Sequence, residues 1–198
     1  MHDTKRAAST IAAIIPAAGR SGRMGTPKQL LDVDGKPMLL GIVDALLAGG
    51  ATRVMLVTSA ALLAKLPQLP PLVGVAMNED PRTEMIDSIR IGLTLSGPCD
   101  GFLVCPSDAA GIAADDVRRC IATFAETPDR IVIATHAGRR GHPTIVPAAL
   151  AAIVQSPECD TGLHHLARNR PQLVREVACD SPGTVANVNT PADYEKLT

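Results

Sequence analysis

Short apolar runs recur along the chain at intervals that leave room for a helix between them: Ile11 to Ile15, Arg53 to Thr58, Val73 to Met77, Gly101 to Cys105 and Arg130 to Ala134. Runs of this length bounded by turn residues suit strands buried on both faces. Between them lie Pro37 to Leu47, Ala60 to Leu66, Glu84 to Leu95 and Asp115 to Ala125, each long enough to cross back over a sheet. The alternation predicts an α/β fold built on a doubly wound, mostly parallel sheet. After Ala134 the rhythm breaks. Gly138 to Pro147 is expected to be a Gly-rich, basic loop leading into Thr144 to Val146, followed by helical stretches over Ala148 to Val154 and Leu163 to Arg168.

The chain has 198 residues, enough for one core burying about 70% of the unfolded surface. No composition shift, repeat or Ser/Pro-rich linker divides it, so a single domain over residues 11–198 is expected, preceded by a frayed leader over 1–10. Hydrophobic residues at 46% against 20% charged exclude a disordered chain. The net charge of -1 gives no general attraction for nucleic acid or an anionic membrane. Aromatics are limited to Tyr194, Phe102 and Phe124, too few for the stacking platforms of single-strand binders. The apolar stretch from Ala7 to Ala18 holds Ser9, Thr10 and Pro16 and falls short of the roughly 20 residues of a bilayer span. A cytoplasmic protein with no nucleic-acid or membrane partner is expected. Five cysteines without a C-x-x-C pair suggest buried thiols rather than a disulfide framework or zinc cluster.

The chemistry concentrates after the first apolar run, in Pro16-Ala17-Ala18-Gly19-Arg20-Ser21-Gly22-Arg23-Met24-Gly25-Thr26-Pro27-Lys28. Glycines free backbone N–H groups to wrap an anion, and Arg20, Arg23 and Lys28 supply opposite charge. An ordinary strand-to-helix turn would need only one of those glycines. The spacing G-x-x-G-x-x-G is neither the P-loop nor the dinucleotide fingerprint, which disfavours a P-loop ATPase and a flavin or nicotinamide reductase. A second element is Pro106-Ser107-Asp108, which sets a carboxylate just past a strand's carboxyl end, where open α/β sheets keep ligands. Asp108 is there the leading magnesium ligand, since that ion accepts one carboxylate plus substrate phosphates.

The Ala-Ala-Gly turn, Arg23-Met24-Gly25 and Lys28 together resemble the signature of the MobA-like nucleotidyltransferases, a family of Rossmann-like, nucleotide-diphospho-sugar transferase type. The resemblance extends through Asn78, the segment Met85 to Leu93 with Ser88 at its polar position, and the closing Asn187-Val188-Asn189-Thr190-Pro191. It departs at Glu84, where the family commonly has Gly; the closing motif is usually D-V-D-T-P or N-V-N-T-P, and here Asn187 and Asn189 offer carbonyl oxygens without charge. It implies transfer of a nucleoside monophosphate from a triphosphate to a phosphorylated acceptor, with Mg2+ as cofactor and release of pyrophosphate.

The roles it implies are backbone binding of the nucleotide by Ala17, Ala18, Gly19, Ser21, Gly22 and Gly25, with Asn78 and Ser88 on the base side. Arg23, Lys28 and Asp108 are catalytic, and Asp108, Asn187 and Asn189 face the metal. Gly141, His142 and Asp160 lie on the acceptor side, Gly141-His142-Pro143 and Asp160-Thr161-Gly162 being similar to the cytidylyltransferase-like branch. Ala17-Ala18-Gly19 with that G-H-P is similar to the molybdenum cofactor cytidylyltransferases, so CTP and molybdopterin are favoured, with transient contact to a molybdoenzyme or its chaperone. The N-V-N-T-P ending points instead to guanylyl transfer onto the same cofactor, and Pro27-Lys28-Gln29 to the sugar-alcohol phosphate cytidylyltransferases. A nucleotide- or cofactor-binding chaperone module on the same fold is the non-enzyme alternative, disfavoured by the joint presence of Lys28 and Asp108.

Overall fold

The computed structural model describes residues 9–19, 27–80 and 82–196. In chain order the regular elements are β1 (Ile11–Pro16), β2 (Asp32–Val33), β3 (Lys36–Pro37), α1 (Met38–Ala48), β4 (Arg53–Thr58), α2 (Ala60–Leu63), β5 (Val73–Met77), α3 (Met85–Leu95), β6 (Gly101–Val104), α4 (Ala114–Glu126), β7 (Ile131–His136), β8 (Arg139–Pro147), α5 (Ala151–Val154), α6 (His164–Asn169), β9 (Val174–Ala178) and α7 (Pro191–Tyr194). Seven of these strands form one sheet in the order β5-β4-β1-β6-β8-β7-β9. All neighbours are parallel except across β8, which runs antiparallel to both β6 and β7.

The two faces of the sheet carry separate cores, because inward and outward side chains alternate along each strand. Ile11, Ala13 and Ile15 pack with Leu39, Leu46, Val117 and Phe124 from α1 and α4. Ala12 and Ile14 pack on the other face with Ile86 and Ile89 of α3 and Leu166 of α6. Helix α4 shows how sequence dictates this. Val117, Cys120 and Phe124 fall on one stripe at helical spacing and are fully buried, while Asp115 and Asp116 occupy the first turn, where the helix dipole favours anions.

Three sequence expectations need correction. Gly138 to Pro147 is not a loop: residues 139–147 form β8, paired with Gly101–Val104 on one side. The cause is a two-residue connection, Ala137 and Gly138, both at positive φ (48° and 75°), which turns the chain straight back from β7. The second is β9, placed by the sequence reading in no element, which extends the sheet beyond β7. The helix expected over Ala60 to Leu66 ends at Leu63.

The expected leader is described only at its end. Thr10 is fastened to residues 100 and 101, its N–H donating to Asp100 Oδ2 at 2.7 Å and its carbonyl accepting from the Asp100 and Gly101 amides. Four of the cysteines are buried, Cys99 is partly so, and all five are free thiols.

Candidate active site

The carboxyl ends of β1 and β6 lie side by side at the centre of the sheet. The chain leaving β1 passes Ala17, buried and bonded through its N–H to the Val57 carbonyl at 2.7 Å, then Ala18 and the exposed Gly19. Arg20, Ser21, Gly22, Arg23 and Gly25, on which much of the phosphate-loop expectation rests, lie outside the described residues. The chain returns at Lys28, in a short 3-10 turn over Lys28–Leu30.

At that point the site closes. Lys28 Nζ donates to Asp108 Oδ2 at 2.7 Å and to Asn189 Oδ1 at 3.0 Å. Both partners of the ion pair are mostly shielded, with side chains 17% and 16% exposed, so the pair is less screened than a surface bridge. Backbone and neighbouring side chains hold it in register. Gln29 Nε2 donates to Ser107 Oγ at 3.2 Å, and the Val188 N–H donates to the Asp108 carbonyl at 2.9 Å. Thr190 caps α7 by accepting from the Asp193 N–H at 3.2 Å, which fixes the segment bearing Asn189. Asn187, next to Val188, is exposed.

The donor set is one carboxylate oxygen and one amide oxygen gathered by a single ammonium. Among the described residues no three His, Cys, Asp or Glu side chains converge as a metal site. Such a sparse, all-oxygen set fits magnesium, which keeps water and substrate phosphates as most of its ligands, and does not fit zinc.

Asn78 directly follows β5 and is buried. Its Nδ2 donates to Ser88 Oγ at 2.9 Å and to Thr83 Oγ1 at 3.1 Å, which ties the loop entering α3 to the sheet. Thr83 is a member of this network that motif reading missed.

On the other flank, His142 stands in β8 rather than in a loop, with its Nδ1 buried and without a hydrogen-bond partner among the described residues. Burial pushes its imidazole pKa down, and the charge of Asp108 pulls it partly back. Gly141 has a steric reason to be glycine: a Cβ there would stand 1.9 Å from the Thr184 carbonyl oxygen. Asp160 is ion-paired to Arg90 of α3 at 2.7 Å, and Arg90 also donates to the Val154 and Ser156 carbonyls, at 3.0 and 2.7 Å. A cleft of about 590 Å³ opens between α3 and the 160–164 segment, its floor formed by the paired residues Val104 and Thr144 and its edge by His142 and Asp160. His164 and His165, adjacent on α6, have ring centroids 4.2 Å apart.

Residues 13–182 match the MobA-like NTP transferase domain. The chain belongs to that family. As a MobA-like domain it is similar to the nicotine blue oxidoreductase of Paenarthrobacter nicotinovorans, 27% identical with 94% of this chain and 96% of that one covered. It is similar at 27% identity to the probable molybdenum cofactor guanylyltransferase of Rhodopirellula baltica, over 91% of this chain and 88% of the relative. The 2-C-methyl-D-erythritol 4-phosphate cytidylyltransferase of Nocardia farcinica is 34% identical over 75% of this chain and 59% of its own length. Among solved structures, Rv0371c of Mycobacterium tuberculosis superposes with a TM-score of 0.84 at 27% identity, covering 96% and 97% of the two chains. The same protein has been solved in complex with manganese, with a TM-score of 0.79 at 25% identity over 96% and 98%. The MobA-like domain is thus a single α/β unit of nucleotidyltransferase architecture, and no helix among its described residues is long and apolar enough to cross a membrane.

Proposed function

We propose that this MobA-like domain transfers CMP from CTP to a phosphorylated acceptor, molybdopterin, and releases pyrophosphate. The observation that carries the reading is the meeting of Lys28, Asp108 and Asn189 at the carboxyl ends of β1 and β6. Attack of the acceptor phosphate on the α-phosphorus needs positioning and charge neutralisation more than a side-chain nucleophile. Lys28 provides a cation for the β- and γ-phosphates. Gly19, with Ser21, Gly22 and Gly25, offers backbone N–H groups to the triphosphate, and Arg23 adds charge. Asp108, with Asn189 and Asn187, would hold magnesium, which supplies neutralisation of the phosphate oxygens at the reacting centre. Asn78 and Ser88 keep the base-side loop in place, and Gly141, His142 and Asp160 border the acceptor. The manganese complex of Rv0371c supports a divalent cation in this fold.

CTP is favoured over GTP because Ala18 puts a methyl group beside the β1 turn, where it narrows the space for a purine. A mismatch of methyl size is worth about 1–3 kcal/mol, so the preference is incomplete, and Ala18→Gly is expected to move the CTP/GTP ratio toward GTP. The test is pyrophosphate release from CTP and GTP with magnesium, with and without molybdopterin. Faster release from CTP, dependent on molybdopterin, is expected. A preference for GTP overturns the base assignment, and no release from either nucleotide overturns the transfer reading.

A further inference from the structure

Two cysteines far apart in the chain meet on the α4 side of the sheet. Asp116, Arg119 and Cys120 share one face of α4 at i, i+3 and i+4. The first two hold the backbone on both sides of Cys179, the residue after β9. Asp116 accepts from the Asp180 and Ser181 N–H groups at 3.0 Å each, and Arg119 donates to the Ala178 carbonyl at 2.9 Å and to Asp180 Oδ2 at 2.7 Å. Toward the sheet, the Cys179 N–H donates to the Thr135 carbonyl at 2.8 Å. Fixed from both directions, the Cys179 thiol interacts directly with that of Cys120 within the core under α4.

The two sulfurs are not equivalent. The contact with Cys120 draws the Cys179 thiol below the ordinary thiol pKa, against burial and the charge of Asp116. The same contact and burial push Cys120 up. Burial likewise pushes up Cys99, Cys105 and Cys159, so Cys179 is the one thiol of the five that ionises more readily than usual. It is also the more open of the pair, 6% exposed against 0% for Cys120. Since the thiolate is the nucleophile toward peroxide, Cys179 takes the attacking role and Cys120 the resolving one.

We propose that Cys120 and Cys179 form a reversible redox pair, closed to a disulfide by hydrogen peroxide. The Cys179 sulfur attacks one peroxide oxygen, the O–O bond breaks, and the departing hydroxide takes up the Cys179 proton as water. Cys120 then attacks the resulting sulfenic sulfur, the S–O bond breaks, and the oxygen leaves as a second water with the Cys120 proton. Two electrons pass from the thiols to peroxide, and a dithiol reductant returns them by exchange. The bridge fastens α4 covalently to the segment that runs from β9 toward Asn189, where Ser181 Oγ also donates to the Gly111 carbonyl at 2.9 Å. Neither this chemistry nor its test depends on nucleotide transfer.

The purified, reduced chain is treated with equimolar hydrogen peroxide without denaturant, quenched with catalase, then unfolded and alkylated for peptide mass mapping. Two of the five thiols are expected to escape alkylation, joined in one cross-linked peptide pair containing Cys120 and Cys179, and dithiothreitol is expected to restore both. A native cross-link between distant chain segments restricts the unfolded chain, so the oxidised form is expected to melt about 5 °C or more higher. Cys120→Ser is expected to abolish the bridge and the shift; should it fail to fold, Cys179→Ala serves, and the wild-type mapping stands without either. Retention of all five thiols, a bridge between other cysteines, a Cys179 that stops at sulfinic acid, or an oxidised form that melts lower overturns the proposal.

Discussion

Lys28 Nζ stands 2.7 Å from Asp108 Oδ2, although 80 residues separate the two in the chain. The contact exists because β1 and β6 are parallel neighbours, so the segments leaving their carboxyl ends emerge at the same edge of the sheet. Asn189 joins from a third segment, brought in where the Val188 N–H meets the Asp108 carbonyl. A cation and a carboxylate kept in contact, both mostly shielded, are what the proposed transfer calls for, since each group can exchange its present partner for one of opposite charge.

Lys28→Ala removes the cation and leaves the surrounding hydrogen bonds of Gln29 and Val188 in place. Loss of one preorganised electrostatic contact of this kind costs about 100- to 1,000-fold in turnover. Steady-state pyrophosphate release, with circular dichroism to show an intact fold, checks the expectation; turnover within a few-fold of wild type would remove Lys28 from the phosphate site.

Asp108→Asn keeps the side chain's shape and removes its charge. Asn189 offers only a neutral oxygen, so the variant is expected to need a far higher magnesium concentration for half-maximal activity. A magnesium titration of the variant against wild type decides this, and an unchanged midpoint would place the ion on other residues.

Much of this was legible in the sequence, for identifiable reasons. The parallel strands β1, β4, β5 and β6 are short apolar runs, and the loops after β1 and β6 carry the glycines and the carboxylate that such positions favour. The antiparallel strand β8 escaped because its turn, Ala137-Gly138, lacks the Asn or Asp that advertises a tight hairpin, and because its first half, Arg139-Arg140-Gly141-His142, is polar. The Asp34-Gly35 pair between β2 and β3, with φ of 53° and 81°, carries that signal and was available. The cleft was illegible for a different reason. Its walls come from α3, the β6–β8 pairing and the 160–164 segment, and only tertiary packing joins them.

Asp116 is a stability prediction independent of the active site. Its side chain is 1% exposed, and its two oxygens accept the Asp180 and Ser181 N–H groups at 3.0 Å each, fastening the segment after β9 to α4. Hydrogen bonds to a charged group are worth about 1.5–3 kcal/mol, and Asp116→Ala also leaves two backbone donors without their partner. A loss of about 2–4 kcal/mol in chemical denaturation is expected. A loss below about 0.5 kcal/mol, the range of ordinary surface substitutions, would contradict the anchoring role.

His142 sets a pH dependence whose sign follows from its burial. In the unfolded chain its imidazole titrates near 6.5, whereas in the native protein desolvation holds its pKa lower. Below 6.5 the unfolded chain therefore binds a proton that native His142 resists, and proton uptake favours unfolding. The stability that neutral His142 allows is present above pH 6.5 and declines as pH falls from there toward the native value. Thermal melts of wild type and His142→Gln between pH 8 and pH 5 isolate this contribution, the variant being expected to lose less stability on acidification. The Asp108 charge opposes the effect by raising the His142 pKa, so Asp108→Asn is expected to steepen the acid decline. Parallel wild-type and His142→Gln profiles across that range would show that the imidazole is solvated and that the cleft edge is wetter than its packing implies.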